Sequence, residues 1–384
     1  MTQDSFQADP HPVYAQWRRA EPVRRVTMGN GRDAWLVTRY EDARQALTDP
    51  RLSKQPASGE PQDDVGAALS RHMLAADPPD HTRLRRLVSA AFTARRIELL
   101  RPRIEELTDE LLDAMSRHDR VDFLDAFAFP LPIQVICELL GVPSEDRDKF
   151  REWSTALVSG AIGGMALAEA RRAIVEYIRK LIAERRTGPG DDLISGLIAV
   201  RDAEDRLSED ELTSMVFLLL IAGHETTVNL LGNGTYLLLS ERDRWERLRA
   251  ERELLPSAIE EFLRYEGPVE TATFRFAAED LEIGGRPIAA GDPVFVVLLS
   301  ANRDDHFPYG DQLLLDRTPN PHLAFGHGIH YCLGAPLARL EAAIAFDRLL
   351  TRFPALELDI TDEPLGWRPG LLIRGLQKLP VRTA

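Results

Sequence analysis

A glycine-rich stretch around one of only two cysteines carries the strongest chemical signal in this 384-residue chain. Residues 325–334 read Phe-Gly-His-Gly-Ile-His-Tyr-Cys-Leu-Gly, and an apolar helical pattern follows directly. Glycines permit tight turns and let a flat ligand approach the backbone without meeting a Cβ atom. Backbone N–H groups in such a turn, and at the start of the next helix, stabilise a thiolate. The stretch therefore predicts Cys332 as a thiolate ligand in a loop that precedes a helix.

Two other interpretations of Cys332 follow from its residue type. A cysteine near a helix is most often a small buried hydrophobic residue. A zinc ion could use His327 or His330 as further ligands, but zinc normally takes four and no second cysteine lies nearby. The other cysteine, Cys137, stands in an apolar run, and there the core interpretation is favoured.

A second chemically unusual region is a long apolar stretch between residues 207 and 239. Ser208 and Glu211 form a capping-box pattern at its start, and the predicted helix would be roughly 45 Å long. Because the stretch is apolar on nearly all sides, we expect the helix to run through the core. The polar residues 224–227 then fall in the middle of a core helix, where polar groups are costly. That cost favours a functional role for them.

Two pairs of charged residues are spaced so that each pair shares one helical face. His81 and Arg85 lie four apart, and Glu261 and Arg264 lie three apart. On spacing alone, the first pair is a solvated basic face and the second an exposed ion pair of little energetic value. The pattern of Ser257 and Glu260 predicts a cap for the helix that contains the second pair.

Hydrophobic periodicity and turn residues divide the rest of the chain into helices and short strands. The pattern predicts helices over residues 12–20, 41–48, 97–140 and 146–186, and strands within residues 23–40, 269–276 and 283–297.

The ordered pattern Phe-Gly-x-Gly-x-His-x-Cys-x-Gly resembles, position by position, the haem-binding loop of the cytochrome P450 family. Residues 222–227, Ala-Gly-His-Glu-Thr-Thr, resemble the distal-helix motif of the same family. The resemblance covers nearly the whole chain. It implies a mainly α fold with small β-sheets, forming a single domain over residues 1–384. Haem b would lie between the long central helix and the cysteine loop.

The resemblance also implies roles for individual residues. Cys332 would be the proximal iron ligand, which favours cleavage of the O–O bond. Ala222 would lie beside the cofactor on the distal helix, where Glu225 and Thr226 would manage protons. The remaining loop residues in contact with haem would be Phe325, Gly326 and Gly334. The cationic partners of the haem propionates would be His81, Arg85, Arg275 and His330.

Three further features are interpreted through the family. Glu261, Arg264 and Arg317 would form a structural network that fixes the cysteine loop. The glycine-rich residues 160–164 would belong to a lid above the active-site entrance. The substrate pocket would be lined by residues 71–74, 158–165, 219–223, 269–273 and 371–373, which are mainly apolar.

Composition limits the function classes. The net charge of −14 argues against general nucleic-acid binding. Two distant cysteines predict no disulfide framework and fit a reducing compartment. The first residues lack the features of a signal peptide, and the longest apolar run, residues 215–223, is too short to span a bilayer. We therefore expect a cytoplasmic protein that is not in a membrane.

The expected reaction is insertion of one oxygen atom from O₂ into a C–H bond of a lipophilic small molecule, in secondary metabolism. The expected partners are a ferredoxin and a ferredoxin reductase, acting on a monomer. Arg95, Arg96 and Arg339 would steer the ferredoxin. Two alternatives stay open. One is a haem-thiolate enzyme with another outcome, such as desaturation, epoxidation or phenol coupling, and the other is a non-catalytic haem sensor.

Overall fold

The computed structural model describes residues 3–29, 31–56, 63–143, 146, 149–150, 152–153, 156–157, 167–199, 207–359 and 365–383. The chain divides into two compact units. The sheet-containing unit comprises Met1–Ser58, Thr108–Ala128 and Thr226–Ala384, and the helical unit comprises Gly59–Leu107 and Phe129–Glu225.

Helices make up most of the described chain, as the resemblance implied. In order they are α1 (Gln3–Ala8), α2 (His11–Ala20), α3 (Tyr40–Thr48), α4 (Asp64–Ser70), α5 (Asp80–Ala91), α6 (Ala94–Leu99), α7 (Arg101–Met115), α8 (Pro130–Leu140), α9 (Leu167–Thr187), α10 (Leu193–Ala199), α11 (Glu209–Leu239), α12 (Arg242–Ala250), α13 (Leu255–Tyr265), α14 (Leu298–Ala301) and α15 (Ala335–Arg352). Short 3₁₀ turns lie at Met73–Ala75, Arg252–Leu254 and Gly328–His330, and a π-helical turn lies at Leu124–Ala128.

The named strands all belong to the sheet-containing unit. They are β1 (Val23–Thr27), β2 (Asp33–Val37), β3 (Leu52–Ser53), β4 (Arg120–Asp122), β5 (Arg275–Ala277), β6 (Leu281–Ile283), β7 (Arg286–Ile288), β8 (Pro293–Val296), β9 (Glu357–Leu358) and β10 (Pro380–Arg382). The largest sheet has the order β1-β2-β8-β5-β3, with β2 and β8 parallel and its other pairs antiparallel. The other sheets have the orders β4-β10-β9 and β6-β7.

Local patterns predicted several elements correctly. The helices over residues 12–20 and 41–48 correspond to α2 and α3, and the strands within residues 23–40 correspond to β1 and β2. The helical prediction for residues 97–140 is wrong in its middle, because β4 interrupts it. That strand pairs with β10 near the other end of the chain, so local periodicity could not reveal it. The predicted lid residues 160–164 lie outside the described residues.

The predicted cap at Ser257 is also wrong. Helix α13 begins at Leu255, with a proline in its first turn. The Ser257 hydroxyl instead donates to the backbone oxygens of Leu254 and Leu315, at 2.9 and 2.7 Å. Glu260 is therefore not part of a cap, and its carboxylate has other partners.

Helix α11 is the longest helix described, and its start agrees with the predicted capping box. Ser208 N–H donates to Glu211 Oε2 at 2.8 Å, and Glu211 N–H donates to Ser208 Oγ at 3.2 Å. A Cβ atom at Gly223 would lie 2.9 Å from Ile136 Cδ1, so glycine is needed for α8 to pack this closely. The helix is apolar and long enough to cross a membrane, but 67% of its most apolar window is buried within the protein. It is therefore a core helix.

Candidate cofactor site

The cysteine loop folds as a tight turn around its two inner glycines. Gly326 and Gly328 both have φ of +73°, a conformation that side chains other than glycine rarely adopt. A Cβ atom at Gly328 would also lie 2.9 Å from Thr48 Cγ2 of helix α3. The Cys332 N–H donates to the Phe325 backbone oxygen at 2.9 Å, which closes the loop. Cys332 itself is exposed, so the alternative interpretation as a small buried hydrophobic residue does not hold for it.

The ends of the loop contact the cysteine or its neighbours. A Cβ atom at Gly334 would stand 3.8 Å from the Cys332 sulfur, and one at Gly326 would stand 3.8 Å from the His330 backbone oxygen. His330 ends the 3₁₀ turn directly before the cysteine. The zinc alternative has no support, because the described residues include no cluster of three or more His, Cys, Asp or Glu side chains suited to a metal ion.

Glu261, Arg264 and Arg317 form the network that the resemblance implied. Arg264 donates to both carboxylate oxygens of Glu261 at 2.7 Å, and Arg317 Nε donates to the same oxygens at 3.1 and 3.0 Å. Asn320 adds a fifth side-chain bond at 3.1 Å. Both arginines also donate to backbone oxygens of the segment at residues 308–312. The network thus fixes the chain that leads into the cysteine loop.

Glu260, the neighbour of this network on α13, is bound by two cationic side chains. Arg339 on α15 donates to its two carboxylate oxygens at 2.6 and 2.7 Å, and His322 Nε2 lies 3.0 Å from Oε2. Burial opposes the charged form, but the hydrogen bonds from Arg339 and His322 lower the pKa of Glu260 to about 2. The charge of Arg339, which the sequence assigned to partner binding, is therefore largely matched within the chain.

Arg275 on β5 is buried and is oriented by its own segment. Its Nη1 donates to the Thr273 backbone oxygen at 3.0 Å. The buried Lys54 ammonium donates to the same oxygen at 3.0 Å, to the Thr273 hydroxyl at 2.6 Å and to the Phe274 backbone oxygen at 3.2 Å. No local sequence pattern points to Lys54, which stands 219 positions from Thr273. It holds the turn that places Arg275.

Helix α11 separates its polar residues onto different faces. His224 and Glu225 are buried, whereas Ala222 is exposed and Thr226 half-buried, one helical turn apart. His224 Nδ1 lies 2.7 Å from the Leu220 backbone oxygen, which can only accept, so Nδ1 carries the proton. Its Nε2 lies 3.5 Å from Glu225 Oε1. The histidine and the glutamate therefore form one polar pair inside the helical unit.

His81 and Arg85 lie on α5 of the helical unit, one turn apart as predicted. His81 is buried and Arg85 half-buried, so the interpretation as a fully solvated basic face is wrong. Arg83 lies between them in sequence and forms an ion pair with Glu211 near the start of α11.

Two segments of the sheet-containing unit are paired and carry exposed apolar side chains. Val269 and Ile373 pair as an antiparallel bridge, and the Thr271 hydroxyl donates to the Leu371 backbone oxygen at 2.7 Å. Phe274 and Leu372 are 51% and 48% exposed on these segments. Exposed large apolar side chains of this kind can contact a ligand.

A cluster of buried charged groups includes residues on these two segments and next to them in the chain. Glu266 accepts hydrogen bonds from Arg303 at 3.0 Å and Arg374 at 2.8 Å, and His11 Nε2 lies 2.8 Å from it. Glu270, which is also buried, accepts a hydrogen bond from the hydroxyl of Tyr14. The cluster connects helix α2 to the segments that carry these apolar side chains.

Helix α11 is tied to the same region by two asparagines. The Asn233 amide donates to the backbone oxygens of Glu266 and Arg374, both at 3.0 Å. One turn earlier, Asn229 packs against Gly375 so closely that a Cβ atom there would collide with its amide group. The segment after residue 371 is thus fixed to the helix that carries Thr226.

Comparison with known proteins identifies relatives along the whole chain. The sequence model of the family described as Cytochrome P450 matches residues 164–372. The protein called Cytochrome P450 107B1, from Saccharopolyspora erythraea, is 52% identical over 99% of this chain and 96% of its own length. The cytochrome P450 monooxygenase PikC of Streptomyces venezuelae is 49% identical over 98% of this chain and 92% of its own length.

Solved structures give the same result for the fold. The tirandamycin C-bound monooxygenase TamI superimposes with a TM-score of 0.91 at 52% identity, covering 99% of each chain. PksS from the bacillaene polyketide synthase of Bacillus subtilis superimposes with a TM-score of 0.93 at 44% identity, covering 100% of each chain.

Proposed function

The chain belongs to the cytochrome P450 family and so is a haem-thiolate monooxygenase, and we propose that Cys332 is its iron ligand. The observation that carries this proposal is the exposed cysteine in a closed glycine turn. Haem b held by a thiolate activates O₂, so that one oxygen atom enters the substrate. The protein supplies the binding, orientation and proton control around that chemistry.

The residues of the sheet-containing unit fit a haem. The Cys332 sulfur is accessible, and the glycines beside it leave the loop without side chains that would hold a flat ligand away. We propose that Phe325, Gly326 and Gly334 contact the macrocycle. Arg275 and His330 would bind the propionates, because cationic donors suit carboxylates. We propose the same role for His81 and Arg85 of the helical unit.

We propose that α11 supplies protons. Thr226 and Ala222 share the more open side of the helix, so the Thr226 hydroxyl would donate at the reacting centre while Ala222 leaves room for the cofactor. Glu225 would hand protons to Thr226, and the His224 ring, whose Nδ1 contacts the Leu220 backbone oxygen, lies with its Nε2 atom 3.5 Å from the Glu225 carboxyl group. These roles need a hydroxyl and a carboxyl group on the helix. A haem protein that only senses a ligand needs neither group.

The decisive test of the ligand compares two cysteine variants. Cys332→Ser should lose the red-shifted Soret band of the ferrous–CO complex, because serine offers no thiolate. Cys137→Ala should keep it, since Cys137 is a buried residue of α8. Loss of the band in the Cys137 variant alone would reject the assignment.

A second test separates proton control from substrate binding. Thr226→Ala should divert reducing equivalents to peroxide while the spectrally measured substrate affinity changes little. Thr227→Ala is the matched control, because that neighbouring threonine is buried. An unchanged ratio of product to NAD(P)H in the Thr226 variant would contradict the role.

The substrate is a lipophilic small molecule, and we propose a polyketide or a related secondary metabolite. The bridged segments around Phe274 and Leu372 offer an apolar surface for it. Relatives named as 6-deoxyerythronolide B hydroxylase and as a mycinamicin IV hydroxylase/epoxidase support the class. A screen of such compounds for shifts of the Soret band of the haem-loaded protein should find ligands in this class. Product analysis with labelled O₂ then distinguishes hydroxylation or epoxidation from desaturation or coupling.

Electrons come from redox partners, and we propose a ferredoxin with its reductase. Among the three arginines expected to steer it, Arg96 pairs with Asp191 and Arg339 with Glu260, which leaves Arg95 as the better candidate. Omitting either protein from a reconstituted assay should stop NAD(P)H-driven turnover.

We further propose that the protein is cytoplasmic, is a monomer and unfolds as one domain over residues 1–384. Light scattering tests the monomeric state, and calorimetry tests whether the chain unfolds as one domain.

A further inference from the structure

Two adjacent carboxylates on α13 act on the chain around Cys332 from different sides. Glu261 binds the arginines and Asn320 that fix the segment leading into the loop. Glu260 instead binds His322, at the entrance of the loop, and Arg339, on the helix that leaves it. The first contact set belongs to the family network described above. The second does not, and its geometry reaches the loop itself.

The Glu260 contacts have defined donors and acceptors. The Ala324 N–H donates to His322 Nδ1 at 3.2 Å, so that nitrogen carries no proton. His322 Nε2 must then carry the proton and donate to Glu260 at 3.0 Å. Together with the two bonds from Arg339, the carboxylate accepts three hydrogen bonds. The guanidinium of Arg339 is therefore held in one orientation.

That orientation places Arg339 against both sides of the loop. Its guanidinium carbon lies 4.5 Å from the centroid of the Phe325 ring, which is within cation–π range. Its Nη1 lies 3.4 Å from the Tyr331 hydroxyl. The Phe325 backbone oxygen accepts a hydrogen bond from the Cys332 N–H, and Tyr331 directly precedes the cysteine. Arg339 thus contacts the two residues that set where the Cys332 backbone lies.

We propose that Arg339, oriented by Glu260, is a positioning residue that keeps the Cys332 loop in its thiolate-ligating geometry. The proposal rests on Cys332 being the iron ligand. It assigns Arg339 a role inside the chain in place of the partner-steering role that its charge suggested. A planar guanidinium can bind a carboxylate with two bonds and stack on a ring at the same time, whereas a lysine ammonium cannot. Lysine should therefore replace it only in part.

The test uses the haem-loaded protein and readouts other than turnover. Arg339→Met, Arg339→Lys, Glu260→Gln and the double variant Arg339→Met/Glu260→Gln are compared for the haem reduction potential. They are also compared for the rate at which the ferrous–CO complex loses its red-shifted Soret band in dilute urea. Arg352→Met is the matched control, because Arg352 is on the same helix and pairs with Asp113 at the surface.

Arg339→Met should lose the band about tenfold faster and shift the potential, as expected for removal of a partly exposed, charge-assisted contact. Arg339→Lys should fall between it and the native protein, and the double variant should be no worse than Arg339→Met. An Arg339→Met protein with native band lifetime and potential would overturn the proposal. If Arg339→Met fails to fold, a Glu260→Gln protein with native band lifetime and native reduction potential overturns the proposal instead. If the native protein itself lacks the red-shifted band, the proposed iron ligand has failed.

Discussion

Two buried carboxylate clusters of the sheet-containing unit are built on different balances of charge. In the first, the single carboxylate of Glu261 receives two arginines and an asparagine. In the second, two carboxylates share two arginines: Arg303 and Arg374 both bind Glu266, and Glu270 has the neutral Tyr14 hydroxyl as its hydrogen-bond donor.

Within the second cluster, the contacts of each carboxyl group decide which acid stays charged. Burial raises the pKa of Glu266, but the contacts with His11, Arg303 and Arg374 outweigh it and keep that pKa well below its ordinary value. Burial also raises the pKa of Glu270, to about 7, and the Tyr14 hydrogen bond only partly opposes it. Glu266, which has its own arginines, thus stays charged near neutral pH, whereas Glu270, which has none, titrates there.

The largest effect should follow from breaking the first cluster. Arg264→Met leaves the Glu261 charge buried with fewer donors, and we expect a loss of about 3–5 kcal/mol in the free energy of unfolding. Arg286→Met, which breaks the exposed pair with Glu21, should cost less than about 1 kcal/mol. Equal losses in urea unfolding would show that burial does not distinguish the two pairs.

The second cluster should make stability depend on pH. The folded-state pKa of Glu270 lies above its unfolded value near 4.5, so the folded protein holds a proton that the unfolded chain releases. Its contribution to stability is complete below about pH 4.5 and is lost as the pH rises through about 7. Glu270→Gln should therefore gain up to about 3 kcal/mol relative to the native protein over this window. The charged groups that act on residue 270, Arg374 and Glu266, are present in both proteins, so they do not cause the difference. A pH-independent difference in unfolding free energy would contradict the titration of Glu270.

The smallest effect should come from the Tyr14 hydroxyl. Tyr14→Phe removes a donor to the Glu270 carboxylate and should cost about 1–2 kcal/mol above pH 7, where the acid is charged. The cost should shrink towards pH 5, because protonation removes the charge that the hydroxyl stabilises. Thermal unfolding at both pH values measures this cost. An equal cost at both would show that the Tyr14 hydroxyl does not stabilise the charged form of Glu270.

The sequence predicted features whose cause is local. The Cys332 turn needs glycines within the same ten residues, and the Ser208–Glu211 box spans one helical turn. Contacts between distant residues left no such signal. Glu260 follows Ser257 by three residues and so fitted the pattern of a helix cap, yet its partner Arg339 lies 79 positions away. The charge of Arg339 was correctly noticed, but only the fold shows that the charge faces Glu260.

The close packing of Gly375 against Asn229 has a consequence for engineering this protein. Saturation libraries aimed at new substrates would vary residues 371–373, where Leu372 already points an exposed side chain outward. Position 375 should be left out of such libraries, because every other residue would collide with Asn229 and push on the turn of α11 next to Thr226. Substitutions at residues 371–373, which we propose to line the pocket, therefore avoid this collision, whereas a substitution at position 375 does not.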